Sequence, residues 1–239
     1  MSATTERSLP ISAAHREFTV RAGGEVVPRT EQLLACSITL QANHIPWARL
    51  VWLDGSASAG EFALAGSDRF APGQAIEVSA GAEDDSQLLF KGVVVRQQIR
   101  LRGGSASQLI VECRGAALTL AQQPHHAVWR EQTDAELLHS LLGACGDSVE
   151  IEDTAVRHEQ LVQSGCTDWD FALARARANG LVLLPRPGAL KLARPGTQAE
   201  QEPATADIGM GRRRRNGGRV GVRPRRVAHA SLQENRVTL

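Results

Sequence analysis

Short segments in which apolar and polar residues alternate fill the first half of the chain. In residues 46–55 the large apolar residues are Trp47 and, two positions apart, Leu50 and Trp52, and Ile76 and Val78 alternate with their neighbours further along. Because successive side chains of a strand point to opposite faces, this period predicts β-strands. The segments are separated by short turns and not by long helices, which is typical of an antiparallel barrel or sandwich.

Other stretches carry the same signal. Residues 15–28 read as a hairpin that turns at Gly23-Gly24, where two glycines permit the backbone that a tight turn requires. Residues 33–43, 88–104 and 107–120 are also predicted as strands. Gly92 lies inside the long strand, and we interpret it as a bulge or bend.

The pattern changes to a helical period after Leu120. Residues 133–146 begin with a capping box formed by Thr133 and Glu136, and Gly146 ends the segment. Between them lies an apolar stripe at helical spacing, formed by Leu137, Leu138, Leu141, Leu142 and Cys145. We therefore predict an amphipathic helix here.

A helix-to-strand elbow follows Cys166. Thr167 can act as the N-cap, with Asp170 three residues later and a second acidic residue, Asp168, in the first turn. Asn179-Gly180 supplies a left-handed stop. The apolar strand at 181–184 is then expected to form a hairpin with residues 188–196.

These patterns predict a mainly β fold class with an α+β part. We expect an antiparallel β-barrel domain over residues 1–118 and a small α+β domain over residues 119–200. Residues 201–239 are expected to be a linker and an irregular, disordered basic tail, because they contain no sustained apolar period that could bury a core.

Composition limits the class of protein. The chain has 239 residues, of which 42% are hydrophobic, a proportion typical of globular domains. No apolar run approaches the length of a membrane span, and the first residues lack the layout of a signal peptide. We therefore expect a protein that stays in the cytoplasm during assembly.

The charge is distributed unevenly. Residues 1–209 contain 18 basic and 25 acidic residues, whereas residues 210–239 contain nine basic residues and one acidic residue. The candidate anion-binding arginines are Arg212, Arg213, Arg214, Arg215, Arg219, Arg223, Arg225 and Arg226. One interpretation is an arm that neutralises the phosphates of nucleic acid. The other is a change of reading frame in a GC-rich gene, which yields runs of Arg, Gly, Pro, Ala and Val.

Residue patterns for catalysis are few. Asp168 and Asp170 could be a pair of catalytic carboxylates, but capping of the helix already accounts for both. His125-His126 is a candidate metal pair without a third ligand at a supporting spacing, and we favour a loop. Glu83-Asp84-Asp85 is interpreted as a solvated hairpin turn. We therefore predict no catalytic residue, metal, cofactor or small-molecule substrate.

The four cysteines, Cys36, Cys113, Cys145 and Cys166, contain no C-x-x-C pair. Cys36 and Cys113 lie in apolar, strand-like sequence. Buried, reduced thiols are therefore predicted, in preference to a metal or redox site.

Five segments in one order resemble the N-terminal hub region of the VgrG family. These proteins are spikes of type VI secretion and other contractile injection systems, and they are related to phage late control D proteins. The segments are FAPGQAIEVSAG, LLFKGVVVRQQIRL, LIVECRGAALTL, WREQTDAELLHSLL and TDWDFALARARANGLVLLPR. The matching positions are Phe70, Pro72, Gly73, Phe90, Lys91, Gly92, Trp169, Phe171 and Gly180.

The resemblance implies a structural protein that joins an inner tube to a spike and is not an enzyme. It implies a homotrimer whose partners are the inner tube protein and baseplate or spike components, ending in a secreted or virion-like particle. It also implies a second barrel after residue 207, where this chain has its arginine-rich tail. The chain is therefore interpreted as a truncated or frameshifted hub, with nucleic-acid binding through the tail as the alternative.

Overall fold

The computed structural model describes residues 17–55, 60–82, 85–101, 107–196 and 235–238. Over these residues the chain forms thirteen β-strands, two α-helices and two short 3₁₀-helices. The strands are β1 (Glu17–Ala22), β2 (Glu25–Val26), β3 (Leu33–Leu40), β4 (Trp47–Leu53), β5 (Ala75–Ala82), β6 (Asp85–Arg100), β7 (Gln108–Arg114), β8 (Pro124–Thr133), β9 (Ser148–Ile151), β10 (Arg157–Thr167), β11 (Val182–Arg186), β12 (Ala189–Ala193) and β13 (Asn235–Thr238). The helices are α1 (Asp134–Gly143) and α2 (Asp168–Ala178), and the 3₁₀-helices are Asp68–Phe70 and Ala116–Ala121.

Eight strands form one antiparallel sheet in the order β13-β3-β4-β7-β6-β5-β1-β2. Val20, near one end of this order, and Cys36, near the other, belong to a single hydrophobic core. The sheet therefore curls around that core, because a flat sheet could not bring both ends to the same cluster. The predicted mainly β fold with a smaller α+β part is confirmed.

Strand β4 demonstrates how alternation sets the orientation of the sheet. Ala48, Leu50 and Trp52 are almost fully buried, whereas the residues between them are half-buried on the other face. The Trp52 ring contacts the ring of Phe70, with 5.4 Å between the ring centroids. This apolar stripe fixes which face of β4 points inward, since a shift of one residue would turn every side chain over.

The register of the long strand β6 shows that Gly92 is not itself a bulge residue. The register of β6 shifts at Leu89 against β5 and at Val95 against β7, so the bulges flank Gly92 and do not include it. A Cβ atom at Gly92 would lie 2.1 Å from the carbonyl oxygen of Arg114. Glycine is required here because another backbone approaches closely.

The segment predicted as a strand over 107–120 is a strand only to Arg114. Residues 116–121 form a 3₁₀-helix, in which Ala117 and Leu120 are buried. Gly115 starts this turn, and its amide donates a hydrogen bond to the carbonyl of Pro46 at 2.9 Å. The apolar residues of this stretch thus leave the sheet and contribute to the second core.

The second core lies between the two helices and a small sheet. Strand β12 pairs antiparallel with β11 and parallel with β9. The predicted caps are present: Thr133 and Glu136 form the capping box of α1, and the Thr167 hydroxyl accepts a hydrogen bond from the Asp170 amide at the start of α2. The predicted hairpin between residues 181–184 and 188–196 is confirmed as β11 and β12.

Strands β8 and β10 form a separate two-stranded ribbon that the sequence pattern did not predict. His125 and His126 lie in β8, so the interpretation of these residues as a loop was wrong. Glu131 has a φ of 51°, a left-handed conformation that interrupts the regular strand. Most side chains of the ribbon are exposed, which explains why no apolar period indicated it.

Most of the arginine-rich tail lies outside the described residues. Its last segment, Asn235–Thr238, forms strand β13, which pairs antiparallel with β3 and was not predicted. Among the helices that the structure describes, none has the length and hydropathy of a membrane span.

The close approach at Gly92 generates a stability prediction. We expect Gly92→Ala to lower the free energy of unfolding by about 1–3 kcal/mol, because the new methyl group would displace the Arg114 backbone. Urea titration followed by tryptophan fluorescence measures this difference. Gly143→Ala is the matched control, since a Cβ atom there meets nothing within 4 Å and the residue is helical. Equal loss of stability in both variants would contradict the conclusion that the Arg114 backbone excludes a side chain at Gly92.

Candidate interaction surface

The ribbon presents apolar side chains on both of its faces. Trp129 and Leu161 lie opposite each other in the register and pack against the second core. Val128 and Val162 are also opposite each other, but they are exposed to 52% and 56%. An exposed cross-strand pair of valines is a small apolar patch that a partner could cover.

Asp134, at the first position of α1, joins one end of the ribbon to both helices. Its carboxylate accepts hydrogen bonds from Arg175 Nε at 2.5 Å, Arg175 Nη2 at 2.8 Å and Asn179 Nδ2 at 2.9 Å. His158 Nε2, in β10, lies 2.9 Å from Oδ2 of the same carboxylate. Asp134 is only 1% exposed. One buried carboxylate therefore connects α1, α2 and β10.

The surroundings of Asp134 keep it ionised. Burial alone would raise the pKa of its carboxyl, because a buried charge loses its hydration. Hydrogen bonds from Arg175, Asn179 and His158 outweigh that effect and lower the pKa to about 2. The cluster is therefore a charged one at neutral pH.

Asp168 joins the opposite end of the ribbon to α2. Its Oδ1 lies 3.1 Å from His125 Nδ1 in β8 and accepts a hydrogen bond of 2.7 Å from Gln163 Nε2 in β10. The interpretation of Asp168 as a helix-capping residue is thus incomplete, because its carboxylate binds the ribbon. Asp170 does remain at the cap, where its Oδ2 accepts a hydrogen bond from the Thr167 hydroxyl at 2.8 Å. Each aspartate has its own structural partners.

The large sheet and the α+β part are joined through the loop that follows β3. The Asn43 amide donates to the Leu183 carbonyl at 2.8 Å, and the Leu183 amide donates to Asn43 Oδ1 at 3.0 Å. Asn43 has a φ of 61°, which suits asparagine better than most residues. A second contact joins β6 to the turn between β11 and β12. A Cβ atom built at Gly188 would lie 3.3 Å from Cδ of Lys91, so the Lys91 side chain packs against this turn.

A cleft of about 320 Å³ lies where the sheet meets α2. Its walls include the side chains of Thr39, Gln41, Asn43, Trp47, Arg114 and Trp169. Among the described residues, the buried Thr39 hydroxyl has no hydrogen-bond partner. The cleft combines two tryptophans with an arginine and polar residues, a set of groups that can recognise a side chain.

The residues that matched the family pattern lie in cores, turns and the junction between the two parts. Phe70 and Phe90 are fully buried in the first core, and Phe171 is buried in the second. Trp169 is 6% exposed and lines the cleft. Lys91 contacts the α+β part, as described above. These side chains determine packing.

The remaining matched residues shape the backbone. Gly73, after Pro72, has a φ of 96°, and its amide donates to the Val94 carbonyl at 2.8 Å. Gly180 has a φ of 67° and follows the last turn of α2. Left-handed residues of this kind are most often glycine, because a Cβ atom is strained there.

The cysteines are free thiols. Burial is the main cause that raises the pKa of both Cys36 and Cys113 to about 12, so both are protonated at neutral pH. The prediction of buried, reduced thiols is confirmed for these two. Cys145 and Cys166 are half-buried.

Two sequence-predicted features lie outside what the structure describes. They are the acidic turn, of which Glu83, Asp84 and the Asp85 side chain are not described, and the arginines between Arg212 and Arg226. Within the described ranges, no group of three or more His, Cys, Asp or Glu side chains could hold a metal ion.

Replacement of Asp134 should lower stability in a pH-dependent way. We expect Asp134→Asn to cost about 2–3 kcal/mol at pH 7, less than a fully buried pair because the Arg175 side chain is 21% exposed. The lowered pKa means that the carboxylate stabilises fully above about pH 4 and less as pH falls through about 2. The difference from wild type, measured by urea unfolding, should shrink between these pH values.

The control for this experiment is Asp153→Asn, which changes the same charge at an exposed position. We expect it to change the free energy of unfolding by less than about 0.5 kcal/mol. A pH-independent difference between Asp134→Asn and wild type would contradict the assignment of the low pKa to this carboxyl.

Asn43 allows a test of the junction between the sheet and the α+β part. Asn43→Gly keeps the left-handed backbone but loses Oδ1, so we expect a loss of about 1–2 kcal/mol. Asn43→Asp retains the acceptor and should lose less. Hydrogen exchange at the Leu183 amide reports this contact directly. It should accelerate in Asn43→Gly and stay close to wild type in Asn43→Asp.

Comparison with known proteins identifies one sequence family. The model of the family described as the Alg8 N-terminal domain matches residues 12–211. This is a different family from the VgrG family that the motifs suggested. No curated protein sequence matches the chain.

Solved structures with the same fold come from phage tails and secretion machines. The 43 kDa tail protein of prophage MuSo2 from Shewanella oneidensis superposes with a TM-score of 0.60 at 16% identity, covering 75% of this chain and 53% of that one. A tail protein from Neisseria meningitidis gives 0.56 at 17% identity, covering 74% and 51%. An E. coli component of the type VI secretion system, described as similar to T4 tail proteins gp27 and gp5, gives 0.53 at 13% identity, covering 72% and 48%.

These identities establish similarity of fold. The chain spans about half the length of the solved structures that it matches. The expected resemblance is therefore supported as a fold shared with tail proteins over the residues that the structure describes.

Proposed function

This chain belongs to the Alg8 N-terminal domain family, and from the fold that it shares with tail proteins we propose that it is a structural component of a contractile, tail-like injection machine. In this proposal it joins the inner tube to the spike and has no catalytic role. Its partners are further copies of itself in a homotrimer, the inner tube protein and baseplate or spike components.

The observation that supports this proposal is the fold shared with tail proteins over three quarters of the chain. The junction is consistent with such a role. A connector that transmits load needs parts that do not move independently, and here paired hydrogen bonds between Asn43 and Leu183 join the sheet to β11. Residues 1–118 and 119–200 would act as barrel and α+β domains, and residues 201–239 as a tail.

The proposal assigns tube binding to the large sheet. Two exposed apolar side chains lie at the end of β6, Ile99 within the strand at 41% exposure and Leu101 directly after it at 61%. Exposed aliphatic residues grouped at one end of a strand are candidates for a protein interface. In this proposal the chain assembles in the cytoplasm and then becomes part of a secreted or virion-like particle.

Nucleic-acid binding through the tail is the alternative, supported by the nine basic residues and one acidic residue of 210–239.

Tube binding can be tested with two variants matched in exposure. Ile99 in β6 and Leu184 in β11 are both 41% exposed, but they lie on the sheet and on the α+β part respectively. We expect Ile99→Asp to weaken binding to the purified inner tube protein by about tenfold, or roughly 1.4 kcal/mol, and Leu184→Asp to leave it unchanged. Sedimentation of the mixture measures the affinity.

The oligomeric state follows from the same sedimentation experiment. A wild-type chain that stays monomeric and does not bind tube protein at high concentration would refute the proposed function. Equal weakening by both variants would refute the assignment of tube binding to the sheet.

A further inference from the structure

The outer edge of β3 is only half covered. Strand β3 has eight residues, Leu33–Leu40, and β4 pairs along one side of it. On the other side, β13 pairs with residues 37–40 alone. Among the described residues, no strand pairs with the outer side of residues 33–36. Unpaired backbone groups along such an edge are a template for another strand.

The cleft described above lies at the end of this same edge. In the antiparallel register, Asn235 is opposite Leu40 and Thr238 is opposite Ser37, so the N-terminal end of β13 points toward the cleft. A strand that continued this register would run past Gln41 to Asn43, both of which line the cleft. Strand β13 lies between the uncovered residues 33–36 and the cleft, so edge and cleft would form one continuous groove once β13 is displaced.

The lining of the cleft favours an acidic side chain. Arg114 and His44 contribute to the lining, and no Asp or Glu does. Arg114 is exposed and has no carboxylate partner among the described residues. A carboxylate placed here would gain charge-assisted hydrogen bonds.

We propose that the β3 edge and the adjoining cleft are a docking groove for an extended segment of a partner polypeptide that carries a carboxylate near its N-terminal end. The segment pairs antiparallel with β3, and a carboxylate side chain near its N-terminal end enters the cleft beside Arg114. Main-chain hydrogen bonds would supply affinity and the cleft would supply specificity, as in other cases of strand addition. This inference depends on the edge and the cleft and not on the proposed function.

Strand β13 is the resident occupant that such a partner would displace. It covers four of the eight residues of β3 and is joined to β12 by 41 residues of sequence, 194–234. A tether of this length gives the internal strand an effective concentration in roughly the millimolar range. A segment that pairs along more of β3 and fills the cleft can compete with it at lower concentration.

The test uses a fluorescent peptide with the sequence of residues 231–239, SLQENRVTL, as the probe. In the register of β13 its glutamate falls opposite Gln41, on the cleft side of the edge. The receptor is the 239-residue chain with Arg236→Pro and Val237→Pro, since one of two successive amides in β13 must point toward β3 and proline removes it. We expect this receptor to bind the peptide at least about tenfold more tightly than wild type does, because the internal competitor is removed.

A second comparison tests the cleft. Adding Arg114→Gln to the proline variant should weaken binding of the peptide by about fivefold or more, as expected for loss of a charged hydrogen bond. The same change should have little effect on a peptide carrying Glu234→Gln. The matched control is Arg100→Gln, which replaces an exposed arginine of β6 that does not line the cleft. It should leave unchanged the affinities for the original peptide and for the peptide with Glu234→Gln.

Hydrogen exchange provides a readout that is independent of the label. Bound peptide should slow exchange at the amides of β3 and not at those of β2, the opposite edge of the sheet. Absence of binding to the proline variant would overturn the proposal. Binding that is indifferent to both Arg114→Gln and Glu234→Gln would also overturn it, because the carboxylate would then not lie in the cleft.

Discussion

The buried carboxylate of Asp134 is the interaction on which the α+β part depends most. It connects the start of α1 with the end of α2 and with β10, elements far apart in sequence. Burying a charge is costly unless its hydrogen bonds are satisfied, and here Arg175, Asn179 and His158 surround it. Its position at the first residue of a helix adds favourable interaction with the helix dipole.

The ribbon is attached by apolar and by polar contacts. Among its described residues, Trp129, Leu161 and Cys166 pack against the second core. Its ends also have polar contacts to Asp134 and to Asp168, each at the first position of a helix. The outward valine pair is therefore held in place by charged groups at both ends, which makes the ribbon a defined surface and not a loose hairpin.

The sequence predicted the elements whose signals are local. The alternation along β4, the glycine turn between β1 and β2, and the cap at Thr133 each depend on residues close in sequence. The ribbon was missed because its exposed strands carry no apolar period. The ion pair of Asp134 with Arg175 was missed because 41 positions separate them, and no periodic pattern relates residues at that distance. The sequence indicated a structural role for Gly92. Whether such a glycine forms a bulge or makes room for the backbone of another strand depends on the neighbouring strand, here β7.

The two edges of the large sheet differ in a way that sequence alone could not indicate. One edge is β2, only two residues long, which offers little backbone to another chain. The other edge is formed by the four-residue β13 and by residues 33–36 of β3, which β13 leaves uncovered. The inward residues of β3, Cys36 and Ile38, lie in the first core. A short edge protects a sheet from unwanted pairing, whereas a long and rigid edge needs a cover. Strand addition to this sheet is therefore directional: it can proceed from β3, where β13 already pairs, and is restricted at β2.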